Sequence, residues 1–221
     1  MSESKRKIRL VVLISGRGSN LQAILDGATG GTLPAEICVV ISNRPDAYGL
    51  ERAGQAGVPT AIVDHKVFPD RPTFEAALRE RINAERPDLV ILAGFMRILS
   101  PEFVEHYQGR LFNIHPSLLP KYRGLHTHER ALAAGDKEHG ASVHFVIPEL
   151  DSGPVIVQAR VPVLPDDDPD TLAARVLAQE HRIYPLAIRW FAEGRVRMQG
   201  DNVVFDGKLL TSPRRLEEEQ A

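Results

Sequence analysis

The sequence predicts an α/β chain built on a doubly wound, mostly parallel sheet, with an antiparallel extension in its C-terminal half. Three observations predict it. Short apolar runs rich in β-branched residues recur at Ile8–Ile14 (IRLVVLI), Ile37–Ser42 and Asp88–Gly94 (DLVILAG), the pattern of strands buried on both faces. Helical segments separate them, at the spacing of βαβ units. Then the pattern changes: Ala141–Ile147 and Val155–Val163 are two strand-like runs with no helix between them, which fits antiparallel pairing.

In chain order, the first strand runs into the glycine-rich turn Ser15–Asn20 (SGRGSN), and helix follows over Leu21–Asp26. Strand, glycine turn and helix aim free backbone N–H groups at an anion; a purely structural tight turn would look alike. A dinucleotide fingerprint would place a third glycine at position 21, where Leu21 stands. The second strand ends in Ser42 and Asn43, with no acid placed to hold a ribose, so the turn suits a simpler phosphate than NAD. Asp46–Gly57 reads as an amphipathic helix, Thr60–Val63 as a third strand and Phe68–Arg71 as a loop. Pro72 opens a helix that runs to about Glu85. Pro101–Tyr107 and Thr127–Ala134 read as short helices, and Asp170–Glu193 as a long one, with Tyr184-Pro185 as a kink or break. Asp206-Gly207 centres a hairpin over Val203–Leu210, and the charged tail from Pro213 reads as frayed.

The whole chain, 1–221, reads as one domain with two lobes, about 1–100 and about 101–221. A hydrophobic content of 43% and a charged content of 25% are those of a soluble globular protein, able to bury a core without disulfides. The net charge of -2 gives no case for nucleic-acid binding, and the basic start Lys5, Arg6 and Lys7 is a short solvated terminus. No apolar run reaches membrane-spanning length and no signal peptide precedes the first strand, so the expected location is the cytoplasm. The lone Cys38 lies in an apolar strand and reads as a buried thiol. His126 and His128 form an HxH without further metal-ligand spacing; no metal is expected.

The chemistry concentrates in Leu111–Pro120 (LFNIHPSLLP). Asn113 and His115 are two apart on a strand, so they share a face. An amide and an imidazole side by side can donate to an oxygen and carry a proton; on their own they also read as polar groups that satisfy nearby backbone. Loops beyond the carboxyl ends of parallel strands are where ligands bind, which singles out Ser15–Asn20, Gly94–Leu99 and Asn113–Pro120.

The motifs ISGRGSNLQAI, AGFMRILSP, LFNIHPSLLPKY, GLHTH, SVHFV, ELDSGPV and QEHRIYP, in that order from about Ile8 to Gly194, resemble the folate-dependent phosphoribosylglycinamide formyltransferases. HPSLLP is shared by the wider group that uses formyltetrahydrofolate; the GSN turn and the QEH segment narrow the likeness. The resemblance implies a Rossmann-like formyltransferase fold. It implies transfer of a formyl group from the co-substrate 10-formyltetrahydrofolate to 5-phosphoribosylglycinamide in purine synthesis. It assigns catalysis to Asn113, His115 and Asp151, and the substrate's phosphate and ribose to Gly18, Ser19, Asn20 and Glu180. It gives the folate site Arg71, Met96, Arg97, Ile98, Leu99, Asn113, His144 and Val146. Small-molecule substrates are the implied partners, without nucleic acid or membrane, for a monomer or homodimer. Arg17, Leu177 and Arg123 depart from the family's pattern. A transformylase acting on methionyl-tRNA would add a basic C-terminal domain, and a formyltetrahydrofolate hydrolase an N-terminal regulatory one. A non-catalytic nucleotide sensor would have no use for Asn113, His115 and Asp151 together.

Overall fold

In the computed structural model, which describes residues 6–219, Ile8–Ile14 form β1, and the side chains of Leu10–Ile14 are fully buried. Lys5 of the basic start lies outside the described residues, as do the last residues of the tail, Gln220 and Ala221. The chain divides into two compact units, Met1–Phe112 and Asn113–Ala221.

In the first unit β1 is followed by α1 (Ser19–Thr29), β2 (Ala35–Ser42), α2 (Gly49–Gln55), β3 (Thr60–Ile62), α3 (Arg71–Ala84), β4 (Leu89–Leu92) and α4 (Pro101–His106). The strands lie in the order β4-β1-β2-β3, and each pair is parallel. The chain steps outward from β1 to β3, then returns to the far side of β1. Strand order therefore reverses between β1 and β4, and the loops leaving those two strands flank the crevice where such sheets bind ligands. The helix expected over 46–57 is shorter, because the Gly49 N–H donates to the Gly16 carbonyl (3.0 Å) and ties the helix start to the glycine turn. α3 starts where Asp70 caps it, its carboxylate accepting from the Thr73 N–H at 2.9 Å, with Pro72 in the first turn. Cys38 is buried on β2, and burial pushes its thiol pKa up.

β5 (Leu111–His115) spans the boundary between the units. The second unit continues with α5 (Thr127–Ala133), β6 (Glu138–Phe145), β7 (Val155–Pro162), α6 (Pro169–Ala192), β8 (Val196–Gln199), β9 (Asn202–Phe205), β10 (Lys208–Leu209) and β11 (Arg214–Arg215). β6 and β7 are antiparallel, the extension expected from the loss of intervening helix. β8, β9 and β10 form a separate antiparallel sheet. Asp206 and Gly207 both have positive φ, as a two-residue hairpin turn of the primed type requires.

Two expectations need correction, and one strand was not expected. Pro185 does not break α6: the helix runs through it, held by the fully buried Ile183, Tyr184, Ala187 and Ile188. The tail is ordered beyond Pro213, since Arg214–Arg215 pair parallel with Val157–Gln158 and a single turn, Leu216–Glu219, follows with Leu216 buried. β8 is an additional strand, four residues long and too short to show a period in sequence. Trp190 of α6 is fully buried and meets Phe205 of β9 edge-on, with ring centroids 4.9 Å apart and the Arg195 guanidinium over both rings.

Candidate active site

In the first unit the candidate residues lie on the two loops after β1 and β4. Gly18 takes φ 70 as the residue before α1, and a Cβ there would lie 2.7 Å from the Gly49 Cα. Glycine is therefore required on two counts, conformation and close approach. Arg52 braces the turn from behind, its Nε donating to the Arg17 carbonyl at 2.9 Å, while the Arg17 side chain is exposed. Ser19 and Asn20 open α1, so their N–H groups belong to the first turn, which has no acceptors within the helix.

The loop after β4 is held by Ser15. The Ser15 N–H donates to the Gly94 carbonyl (3.1 Å), its Oγ accepts from the Met96 N–H (2.8 Å), and the hydroxyl donates to Asn43 Oδ1 (2.5 Å). Met96, Arg97 and Ile98 are exposed, Met96 and Ile98 each to 67%, whereas Leu99 is buried at 8%. Arg71 stands at the start of α3, half-exposed, with Nε 3.4 Å from Glu75 Oε1.

The second unit gathers Asn113, His115, His144 and Asp151. His115 at the end of β5 is buried, and each of its ring nitrogens faces an acceptor. Nε2 donates to the Tyr122 carbonyl at 2.8 Å, and Nδ1 lies 3.4 Å from Asp151 Oδ2. Two acceptors match the two donors of an imidazolium. Asp151 Oδ2 also accepts from the Gly124 N–H (2.9 Å), which fixes the carboxylate. Asp151 and Tyr122 both have positive φ, at 47° and 54°.

His144 on β6 answers differently. Its Nδ1–H donates to the Phe145 carbonyl (2.8 Å), so Nε2 bears a lone pair and accepts from Asn113 Nδ2 at 3.2 Å. Burial holds its pKa down at about 4. The neutral ring therefore fixes which way the Asn113 amide points and leaves the second Nδ2 hydrogen free to donate. Nε2 lies 3.9 Å from Asp151 Oδ1, so both histidines face one carboxylate. Sequence reading placed His144 beside a ligand and missed its hold on Asn113.

The loop after β5 is organised by one hydroxyl. Ser142 Oγ donates to the Ser117 carbonyl and accepts from the Leu119 N–H and Gln158 Nε2, so all its capacity is used. Gly153 closes the other side: a Cβ there would sit 1.8 Å from the Phe145 carbonyl oxygen. Val146 is half-buried just beyond β6, and Glu180 is a buried acid on α6. Leu177 is half-buried on α6, and Arg123 is exposed and paired with Glu149 at 3.5 Å. His128 and His139 hydrogen-bond each other at 3.1 Å, and burial lowers His139 to about 4. Among the described residues no group of three or more His, Cys, Asp or Glu side chains could hold a metal ion, and no helix is long and apolar enough to cross a membrane.

The amide of Asn113 and the imidazole of His115 lie at the end of β5 with the Asp151 carboxylate beside the imidazole, and these are groups that an enzyme of the acyl-transferring class uses. The chain belongs to the formyl transferase family, whose sequence profile matches residues 8–188. It is 56% identical over 203 residues to the phosphoribosylglycinamide formyltransferase of Escherichia coli, covering 92% of this chain and 96% of that one. It is 48% identical over 202 residues to the enzyme of the same name from Haemophilus influenzae, covering 91% of this chain and 95% of that one. The structure of the phosphoribosylglycinamide formyltransferase of Coxiella burnetii superposes with a TM-score of 0.91 at 56% identity, covering 95% of this chain and 99% of that one.

Proposed function

We propose that this chain transfers the formyl group of 10-formyltetrahydrofolate to the primary amine of 5-phosphoribosylglycinamide, giving 5-phosphoribosyl-N-formylglycinamide and tetrahydrofolate for purine biosynthesis. One observation carries the reading: Asn113 and His115 stand together at the end of β5, each oriented by a partner, in a chain 56% identical to an enzyme with that name.

The neutral amine attacks the formyl carbon, and the carbonyl electrons move onto oxygen. The free Nδ2–H of Asn113 donates to that oxyanion. His115 Nε2 trades the Tyr122 carbonyl for it, while Nδ1 stays on Asp151. Collapse breaks the bond to the folate N10, which takes up one proton as the attacking nitrogen releases one, so no net proton is consumed. Asp151, beside His115 Nδ1, takes and returns this proton through a water.

Gly18, Ser19 and Asn20 take the substrate phosphate on the positive end of α1, and Glu180 takes the ribose hydroxyls. Arg71, Met96, Arg97, Ile98, Leu99, His144 and Val146, with Asn113, line the folate site. The protein works in the cytoplasm as one formyltransferase domain, monomeric or homodimeric. His115→Ala should lower tetrahydrofolate release by at least about 10²-fold with the circular dichroism unchanged. A folded variant with near-wild-type turnover sinks the catalytic assignment. Wild-type hydrolysis of the formyl donor without transfer to the glycinamide would make the protein a hydrolase instead.

A further inference from the structure

Glu75 is a buried carboxylate that the reaction above does not use. It lies in α3, 6% exposed, and both its carboxylate oxygens reach the loop after β4. Oε1 accepts from the Ser100 N–H at 2.8 Å, and Oε2 accepts from the Ser100 hydroxyl. Ser100 caps α4, its Oγ accepting from the Phe103 N–H at 3.2 Å. Ser100 also ends the loop after β4, whose other end Ser15 holds at Gly94 and Met96. The segment between these anchors presents Met96, Arg97 and Ile98 outward. The third partner of Glu75 is Arg71, through Nε at 3.4 Å. That contact spends Nε and leaves the two Nη groups on a side chain that is 44% exposed.

We infer that Glu75 is a positioning residue for the formyl donor. It fixes the loop that lines the donor site, and it aims the outer face of the Arg71 guanidinium at an anionic group on the donor's tail. The inference rests on the reading above that this loop and Arg71 face the folate. Ser100 supplies Glu75 with two donors and Arg71 supplies it with a cation, the partners a buried carboxylate needs. Neutralising it releases Arg71; deleting it also strands the Ser100 N–H.

The test is a series of Glu75→Gln, Glu75→Ala and Ser100→Ala. Steady-state kinetics is run in both substrates, and Kd is measured for 10-formylfolate and for pteroic acid, which lacks the glutamate tail. Glu75→Ala should raise KM for the formyl donor by about 10-fold and Glu75→Gln by about 3-fold. KM for the glycinamide substrate and kcat should stay within about 2-fold. Glu75→Gln should weaken 10-formylfolate and leave pteroic acid unchanged, because only the former has a tail for Arg71. Ser100→Ala should weaken both ligands equally, by about 3-fold. Lowered thermal stability with unchanged donor KM, or equal rises in both KM values, overturns the inference. If Glu75→Ala does not fold, Glu75→Gln and the Kd pair decide it. Wild-type protein that binds 10-formylfolate but does not formylate the glycinamide breaks the proposed reaction while the Kd series still judges Glu75. Wild-type protein that binds no folate overturns both.

Discussion

The ends of β5 and β6 each carry a buried histidine turned toward Asp151, and the two are set up for opposite tasks. His115 meets an acceptor at both ring nitrogens, the Tyr122 carbonyl and the Asp151 carboxylate. His144 meets an acceptor at Nδ1 and a donor at Nε2. The first set of partners suits a ring carrying two protons, and the second suits a ring carrying one. Burial reinforces the second case by holding His144 down at about 4. Residue type and a shared anion therefore do not decide the role; the backbone carbonyl and the amide beside each ring do.

The largest expected effect comes from removing the shared anion. Asp151→Asn keeps an acceptor for the Gly124 N–H but takes the charge from His115, and kcat should fall by about 10²–10³-fold in a tetrahydrofolate-release assay. Asn113→Ala removes an oxyanion donor and should cost a similar factor. His144→Leu should cost about 10²-fold, because the Asn113 amide loses the acceptor that orients it. His144→Gln, whose side-chain oxygen can still accept, should recover about 10-fold of that loss. Equal activities for these two variants would show that His144 only fills space.

The smallest effect is on stability. Burial lowers His139 to about 4 in the fold, against 6.5 for an ordinary histidine, and lowers His144 as well. Between those values the unfolded chain binds more protons than the folded one. The stability tied to the neutral rings is thus complete above about pH 6.5 and is lost as the pH falls through 4. His139 should contribute on the order of 2 kcal/mol. Urea titrations at pH 7 and pH 5 should show the drop, and His139→Asn should shrink the difference between the two pH values.

Much of this was legible in the residues. β1 begins and ends where its apolar run does, because buried parallel strands write themselves as continuous hydrophobic sequence. The period of two put Asn113 and His115 on one face. What could not be read is what distant chain does to them. His144 lies 31 residues from the amide it orients, and Ser100 lies 25 from Glu75. Hydrogen bonds over such separations leave no local period. Tyr122 and Gly124 act through backbone atoms, so their side chains give no hint of the contact. Pro185 misled for a related reason: a proline lowers helix propensity locally, but four fully buried neighbours outweigh it.

The edge-on packing of Trp190 against Phe205 also equips the protein with its own optical gauge. Trp190 is the sole tryptophan, so all indole fluorescence arises where α6 meets the small C-terminal sheet. Detachment of that sheet would wet the ring and shift its emission to the red. Chemistry at the ends of β5 and β6 would leave this emission unchanged. An emission change on adding a substrate would report that the C-terminal sheet had moved.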